Sequence, residues 1–494
     1  MKNLKYIFFT FLLIGLYSCN EVEDVLEDNG ITTPEALPAL TAGSADFSNY
    51  VAIGNSLTIG VTDNGVFRAT QTNSYPNILA GQFSAVGGGE FVQAMTADNY
   101  GGLAVGGNRI FDPRLVVNGA GPAGLESVIG PVTVGTDLLD NPVGPFNNLG
   151  VPGARSFHLL APGYGNLSNL ALGLANPYAV RLTGSTPNAS IIELALAQSP
   201  SFVSLWIGAN DVLSYSTSGG SNGALTPQAT FDASMDAIAG ALSTTGAQGV
   251  MANIPYVTDI PFFTTIPHNP VPLDAATAGA LNSGYAAYNG GIAQVGSLGA
   301  ISAEEVAQRT ISFSAGQNAV VIEDEALTDL SAYGLPNYRQ ATENDLVVIL
   351  AASFIGTLAD PNNPNSVNGI GVPLADNWVL TETEVNEVKS ATDLINGKIS
   401  SIASELGYAH FDANDMFQRI FSGDVTYNSF NPNASLVFGG MISLDGVHPT
   451  SRGYAIIANE IMKAIDETYG SNFEASGNLV DIGDYPTNYS PLLQ

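Results

Sequence analysis

Two segments near opposite ends of the chain carry side chains that could together perform covalent acyl transfer. Ser56, in Gly54-Asn-Ser-Leu, supplies a hydroxyl that can attack an ester carbonyl. His448 supplies a base, and Asp445, three residues earlier, supplies an acid that can orient it. A hydroxyl nucleophile, a base and an orienting acid are the minimum set for this chemistry. The chain has 4 His and 1 Cys, so few competing combinations exist.

Short apolar runs predict the strands that would position these residues. Residues 50–53 and 202–207 are apolar runs that each stop at a glycine, and residues 249–254 form a third run. Such runs are typical of buried strands. Thr226-Pro227 opens a predicted helix to about residue 242, which lies between the second and third runs. Strand, helix and strand in this order indicate a right-handed parallel crossover.

The strand ends predict where a site would lie. Ligands bind beyond the carboxyl ends of parallel strands. Ser56 follows the first predicted strand and Asn210 follows the second, so both should lie at one edge of the sheet. Further along, a Thr381–Glu384 capping box predicts a helix to about residue 406. A strand over 410–412 and a closing helix over 451–469 complete the pattern.

The fold predicted from these elements is α/β, a three-layer α/β/α sandwich around a central parallel sheet. We place one domain at 46–470, with insertions at about 85–145 and 256–375 and a C-terminal tail at 471–494. The first insertion is rich in glycine, and the second mixes apolar, proline-rich and short helical pieces. We expect both insertions to cover the active-site face rather than to fold independently.

The N-terminus predicts export. Residues 1–19 combine two lysines, an apolar stretch and a small-residue junction, as in a secretory signal. Residues 16–19 resemble a bacterial lipobox, which predicts lipidation of Cys19; an ordinary cleaved signal is the alternative. Residues 20–45 read as a flexible acidic tether, similar to export signals of lipoproteins from Bacteroidetes-like bacteria. The predicted location is the outer membrane or cell surface of a Gram-negative bacterium.

Composition excludes several classes of partner. The formal net charge is −31, which opposes binding to nucleic acid and to anionic membrane surfaces. We expect membrane contact only through a lipid anchor at Cys19. A single Cys rules out an intrachain disulfide, and the three other histidines lack metal-ligand spacing. The sequence therefore predicts no metal and no cofactor. The remaining histidines are His158, His268 and His410.

Four short blocks, in order, resemble the SGNH (GDSL-type) hydrolase family. Each is weak alone, but two of them fall at predicted strand ends. The resemblance implies that Ser56 is the nucleophile and that Asp445 and His448 are the acid and base. It also implies an oxyanion hole formed by the backbone N–H groups of Ser56 and Gly150 and the amide of Asn210. The family usually has Asp before the serine, where this chain has Asn55. The blocks are Ile53–Thr58, Asn148–Gly153, Gly208–Asp211 and Asp445–Thr450.

The predicted activity is hydrolysis of carboxylic esters by an esterase or lipase, on a small-molecule, lipid or glycan ester. Phe262 and Phe263 could form an apolar lip over an acyl pocket, or could simply pack in the core. Two alternatives stay open: a glycan O-acetyl esterase of the same fold, and a non-catalytic surface binding lipoprotein. Replacement of Ser56 by alanine separates an enzyme from a binder.

Overall fold

The computed structural model describes residues 36–119, 121–363 and 365–494. The predicted signal at 1–19, Cys19 and the first part of the predicted tether lie outside these ranges. The lipidation prediction therefore concerns residues that the structure does not describe.

A parallel five-stranded sheet forms the centre of the molecule, in the spatial order β5-β4-β3-β1-β2. Three adjacent strands end level with one another, because Gly54 at the end of one strand lies opposite both Trp206 and Gly150 at the ends of its two neighbours. The strands, in chain order, are β1 Tyr50–Gly54, β2 Asn148–Gly150, β3 Phe202–Trp206, β4 Gln248–Ala252 and β5 Ala409–Phe411.

Both faces of the sheet are buried, as the continuous apolar runs predict. Successive side chains of a strand point to opposite faces. In β1, Val51 and Ile53 join one core cluster, whereas Tyr50 and Ala52 join the other. Helices cover each cluster, which makes the molecule a three-layer sandwich.

The helices range in length from 4 to 25 residues. In chain order they are α1 Ser56–Ile59, α2 Arg68–Thr72, α3 Tyr75–Ser84, α4 Leu125–Ile129, α5 Pro177–Thr183, α6 Ile191–Leu196, α7 Ala209–Ser216, α8 Gln228–Ser243, α9 Pro261–Thr264, α10 Ala275–Ser297, α11 Ala303–Arg309, α12 Glu382–Leu406, α13 Ala413–Ser422 and α14 Ser451–Tyr469. Helices α3, α13 and α14 pack on the Tyr50 face, and α6, α8 and α12 pack on the Val51 face.

Local sequence explains where the longest core helices begin and end. The predicted capping box opens α12: Glu384 Oε2 accepts from Thr381 N–H at 2.7 Å and from Thr381 Oγ1 at 2.8 Å. Thr450 caps α14 by accepting from Gly453 N–H at 2.9 Å. Gly407 and Gly470 end the two helices in the left-handed conformation, which glycine adopts without strain.

In the residues that the structure describes, the predicted insertions contain small antiparallel sheets and no strand of the central sheet. Many buried residues of 256–375, including Val320 and Leu374, belong to the same core cluster as Val51, whereas Ile292, Val295, Ile301 and Leu330 form a separate cluster. The pairs are Leu103–Val105 with Asn108–Phe111, Leu115–Asn118 with Gly121–Gly124, Val271–Leu273 with Gly316–Asn318, Val321–Glu323 with Tyr338–Gln340, and Leu346–Val347 with Val379–Leu380.

The segments that flank the predicted domain also pack against it. Thr41 N–H donates to Asn472 Oδ1 at 2.8 Å, and Ser44 N–H donates to Tyr469 O at 2.8 Å. In the predicted tail, Phe473 and Ile482 are buried. The structured body thus extends beyond 46–470 in both directions.

The predicted α/β fold with a central parallel sheet is confirmed. Strand β2 and helix α10 were not predicted: β2 is only three residues long, and α10 carries glycines and alanines with little apolar periodicity. None of the described helices combines the length and the apolar character that crossing a membrane requires.

Candidate active site

Ser56 lies where the sequence pattern predicts, directly after the carboxyl end of β1. It is the first residue of α1, and the side chain of Asn55 caps this helix by accepting from Leu57 N–H at 3.0 Å. Asn is among the preferred N-cap residues. Ser56 is 7% exposed. Its side chain makes no hydrogen bond within the described part of the chain, and it lines two cavities.

The predicted acid and base are paired. Asp445 Oδ2 and His448 Nδ1 are 2.8 Å apart. Asp445 Oδ1 also accepts the N–H groups of Val447 at 2.8 Å and His448 at 2.9 Å, so a single tight turn fixes both side chains. When Nδ1 holds the proton that it donates to Asp445, Nε2 is the nitrogen left to act as base. His448 lines the same two cavities as Ser56.

The carboxylate of Asp445 is held in its charged form. Burial alone would raise the pKa of Asp445. The charge and hydrogen bond of His448, together with the backbone N–H groups of His448 and Val447, lower that pKa to about 2. Asp445 is therefore an anion at neutral pH, which is the form that can orient an imidazole and stabilise an imidazolium.

Asn210 reaches the site from the end of the neighbouring strand. It lies in the first turn of α7, which follows β3, and both cavities contact it. Its amide Nδ2 donates to Ala154 O at 3.0 Å. An amide nitrogen carries two N–H groups, so one remains available for a ligand. The next residue, Asp211, accepts from Ser156 N–H at 3.0 Å and thereby fixes the same loop.

The prediction that Gly150 supplies an oxyanion donor is wrong. Its N–H already donates to Asn148 Oδ1 at 3.0 Å, and Gly150 lines neither cavity. A Cβ at this position would lie 2.4 Å from Ile59 N, so glycine is required there because α1 packs directly on the end of β2. The role of Gly150 is packing.

Gly153, the second glycine of the same sequence block, takes the position predicted for Gly150. It lines the larger cavity together with Ser56 and Asn210. Its φ of +76° is a left-handed conformation, and a Cβ there would meet no atom within 4 Å. The backbone N–H of Gly153 has no hydrogen-bond acceptor in the described structure. The sequence block contains both glycines, and their spacing alone could not show which of the two presents its N–H to the cavity.

The two cavities differ greatly in size, and Ser56 and His448 line both of them. The larger has a volume of about 480 Å³. Its outer wall comes from the first insertion through Ile110, Phe111 and Asp112. Phe111 stacks on Tyr178, with ring centroids 5.9 Å apart. The first insertion thus lines the cavity beside Ser56; we expected the insertions to cover this face, but the residues that form the wall were not predicted.

The smaller cavity has a volume of about 40 Å³ and is almost entirely apolar. The segment after β4 provides Pro255, Val257 and Ile260, and Phe417 and Val447 also line it. Of the two roles left open for Phe262 and Phe263, the structure shows packing in the core, where both side chains are buried. Phe262 also supports the acid–base turn, since its N–H donates to Gly446 O at 2.9 Å.

One group of carboxylates lies close together elsewhere. Glu325, Asp376 and Glu384 place carboxylate oxygens within 4.8 Å of one another, and none of them lines either cavity. Burial raises the pKa of Glu384 to about 7 and that of Asp376 to about 6. Partial protonation reduces their mutual repulsion, so the group does not require a cation.

Comparison with known proteins gives matches among solved structures alone. No family model matches the chain, and no curated protein matches it. It is similar to a point mutant of an acetyl-xylooligosaccharide esterase from Geobacillus Stearmophilus, with 12% identity, a TM-score of 0.32 and coverage of 86% of this chain and 96% of that one. It is also similar to an extracellular lipase from Streptomyces rimosus, with 12% identity, a TM-score of 0.30 and coverage of 85% of this chain and 99% of that one. A third similar structure is that of a GDSL-like lipase from Parabacteroides merdae, with 10% identity, a TM-score of 0.29 and coverage of 86% of this chain and 98% of that one. Similarities of this size carry no argument about activity.

Proposed function

We propose that the chain is a serine esterase of the SGNH (GDSL-type) hydrolase family. The observation that carries the proposal is the 2.8 Å contact between Asp445 Oδ2 and His448 Nδ1, beside cavities that Ser56 and Asn210 also line. A nucleophile, an oriented base and a side-chain donor thus come together from three separate elements. A binding protein has no need for this combination.

The proposed reaction has two halves. Ser56 Oγ attacks the carbonyl carbon while His448 Nε2 takes the hydroxyl proton, which gives a tetrahedral oxyanion. The backbone N–H groups of Ser56 and Gly153 and the free N–H of Asn210 would donate to that oxyanion. Collapse breaks the ester C–O bond, and His448 gives the proton to the departing alcohol. Water, deprotonated by His448, then releases the acid and restores Ser56.

The geometry around Ser56 permits this sequence of steps. Ser56 Oγ and His448 make no hydrogen bond in this structure, although both line the same cavities. Nucleophile–base contacts are often long before substrate binds and shorten in the reacting complex. Attack requires the Ser56 hydroxyl to turn towards His448.

The unequal cavities support an ester with one short side and one bulky side. A cavity needs at least roughly 10–15 Å³ of this volume to hold a single water, so the space of about 40 Å³ accommodates only a few non-hydrogen atoms. The space of about 480 Å³ accommodates a sugar, an aryl group or part of an acyl chain. This favours an acetyl ester of a bulky alcohol, including a glycan, over a long-chain ester of a bulky alcohol.

Three esters test the proposed esterase activity together with the size rule, which states that one side of the ester must be short. We expect hydrolysis of p-nitrophenyl acetate, weak hydrolysis of p-nitrophenyl palmitate, and no activity of Ser56→Ala on either. Methyl palmitate identifies which side enters the small cavity, because its short side is the alcohol. Equal rates for all three would contradict the size rule. Activity that persists in Ser56→Ala would contradict the serine mechanism, and absence of any activity in the wild type would support a binding protein.

Lipidation of Cys19 and display at the outer membrane or cell surface are also proposed. The support is the lipobox-like Leu16-Tyr-Ser-Cys19 and the acidic run after it. Metabolic labelling with palmitate should label the wild type and leave Cys19→Ser unlabelled. Equal labelling of both would contradict an anchor at Cys19.

A further inference from the structure

A tight turn shortly after Ser56 contacts the acid–base segment. Residues 62–65 form a two-residue reverse turn, in which Thr62 and Gly65 exchange backbone hydrogen bonds of 3.0 and 3.1 Å. Its central residues, Asp63 and Asn64, have φ values of +55° and +60°. Asp and Asn tolerate this left-handed conformation better than other non-glycine residues. The turn can therefore form without glycine at its centre.

Two backbone N–H groups of the turn bind the segment that carries Asp445. Asn64 N–H donates to Asp445 Oδ2 at 2.9 Å, the same oxygen that meets His448 Nδ1. Asp63 N–H donates to Ser443 Oγ at 3.0 Å, and Ser443 Oγ donates to Asp445 Oδ1 at 3.1 Å. Each oxygen of Asp445 is thus connected, directly or through one hydroxyl, to the turn.

The side chain of Asp63 adds a third connection. Its Oδ1 accepts from Leu444 N–H at 3.1 Å, which fixes the residue just before Asp445. The side chain is fully buried, and Oδ2 has no hydrogen-bond partner within the described structure. A buried unpaired carboxylate oxygen is unfavourable. A turn alone does not require a carboxyl at this place.

We infer that Asp63 is a positioning residue for the proposed acid–base pair: it fixes Ser443–Asp445, and with that segment the direction in which Asp445 presents Oδ2 to His448. The inference rests on the proposed function and extends it to a residue outside the four sequence blocks. Burial raises the pKa of Asp63 to about 7, and the nearby charge of Asp445 adds to the rise. The neutral carboxylic acid resembles an amide in shape, so asparagine should replace it.

The test compares two variants that keep the turn. Asp63→Gly removes the acceptor of Leu444 N–H and remains compatible with the positive φ, whereas Asp63→Asn keeps an acceptor oxygen. Because small misalignments of catalytic groups slow chemistry more than binding, Asp63→Gly should lower kcat by about 10–100-fold and change KM by less than about threefold. Asp63→Asn should keep kcat within about threefold of the wild type.

A matched control is available at a similar turn. Asn428 has a φ of +54°, and Tyr427 and Phe430 on either side of its turn exchange two hydrogen bonds of 2.9 Å. It lines neither cavity, so Asn428→Gly adds the same backbone freedom at a place where kcat should not change. Wild-type kcat in Asp63→Gly would overturn the inference. Equal losses in Asp63→Gly and Asp63→Asn would overturn it as well.

A spectroscopic readout separates this inference from the proposed activity. The His448 Nδ1 proton, held by Asp445, should give a downfield proton resonance that Asp445→Ala lacks. The resonance should persist in Asp63→Asn and shift or broaden in Asp63→Gly. If the wild type hydrolyses no ester, the proposed function fails, while an unchanged resonance in Asp63→Gly would separately overturn the inference. If Asp63→Gly does not fold, Ser443→Ala replaces it, with the same selective loss expected and an unchanged resonance contradicting it.

Discussion

Hydrogen bonds hold both carboxylate oxygens of Asp445 in place. Its Oδ1 accepts from Ser443 Oγ and from the N–H groups of Val447 and His448, and its Oδ2 meets Asn64 N–H and His448 Nδ1. Such a carboxylate is fixed in place and charged. Only then can it select one tautomer of the imidazole.

Replacing Asp445 by asparagine should therefore reduce the rate far more than binding. An amide can present an N–H to His448 and favour the wrong tautomer, so we expect kcat to fall by about 10²–10⁴-fold with KM little changed. Steady-state kinetics on p-nitrophenyl acetate provide the measurement. Loss confined to KM would show that Asp445 acts in substrate binding instead.

Asn210 should contribute through its free amide N–H. Loss of one oxyanion donor lowers kcat by about 10²–10³-fold, and Asn210→Ala should fall in this range. Asn222→Ala, at an exposed loop position outside both cavities, is the control. Equal kinetics for the two variants would exclude Asn210 from the oxyanion hole.

The two neighbouring aspartates predict opposite effects of pH on stability. The pKa of Asp445 is lowered to about 2, so its stabilising contribution is complete above its ordinary pKa of 3.8 and is lost as pH falls towards 2. The pKa of Asp63 is raised to about 7, so folding favours its protonated form and stability decreases as pH rises from about 4 to 7.

Asp63→Asn removes the second effect. Between pH 4 and pH 8 the wild type should lose up to roughly 4 kcal/mol of unfolding free energy relative to this variant. Urea unfolding of both proteins at several pH values measures the difference. Parallel pH profiles would show that Asp63 does not titrate in this range.

At the scale of elements, the site depends on how β1, β2 and β3 end at one edge and on the turns that follow. Gly150 and Gly153 belong to the same short segment but have different roles. A methyl at Gly150 would collide with the backbone of α1, whereas one at Gly153 would enter open space with a backbone strain of about 1–2 kcal/mol.

The two alanine variants should separate packing from catalysis. Gly150→Ala should lower Tm strongly, because α1 must move. Gly153→Ala should stay folded with a small decrease in Tm and should lose kcat, because its N–H is displaced from the oxyanion. Circular dichroism melts and steady-state kinetics on the same samples test this. A well-folded, fully active Gly153→Ala would remove Gly153 from the oxyanion hole.

The sequence predicted the elements whose signals are local. The apolar runs of β1 and β3, the capping box of α12 and the limits of α14 all correspond to structure, and the Asp445–His448 spacing predicted their hydrogen bond. Features that depend on packing between distant segments could not be predicted from the sequence. Gly150 and Gly153 stand in one short block and differ in backbone conformation and in what packs around them, and the sequence left open whether Phe262 forms a lip or packs in the core, where it lies.

For the whole molecule, distant segments converge on the Asp63 turn. Arg114, which is 0% exposed, comes from the first insertion and donates to Ser490 O at 2.7 Å, near the C-terminus. The next residue, Leu115, donates its N–H to Asp63 O at 2.7 Å. The C-terminal segment and the insertion therefore both support the turn that supports Asp445.

Removal of residues 486–494 should reveal this dependence. The deletion leaves the buried guanidinium of Arg114 without one acceptor and removes Tyr489, which contacts Ser451 and Asn73. We expect a lower Tm together with reduced kcat. Leu492→Ala, at a side chain 75% exposed, should change neither quantity. A truncated protein with wild-type Tm and kcat would show that the C-terminal segment is dispensable.

The most direct test of the central claim is covalent labelling of Ser56. Diethyl p-nitrophenyl phosphate should transfer one diethylphosphoryl group to Ser56 Oγ, with release of p-nitrophenolate, and intact-protein mass spectrometry with peptide mapping locates the adduct. We predict a single adduct at Ser56 in the wild type, none in Ser56→Ala, and greatly slowed labelling in His448→Ala. An unlabelled wild type, or an adduct on another residue, would contradict the proposal that Ser56 is an activated nucleophile.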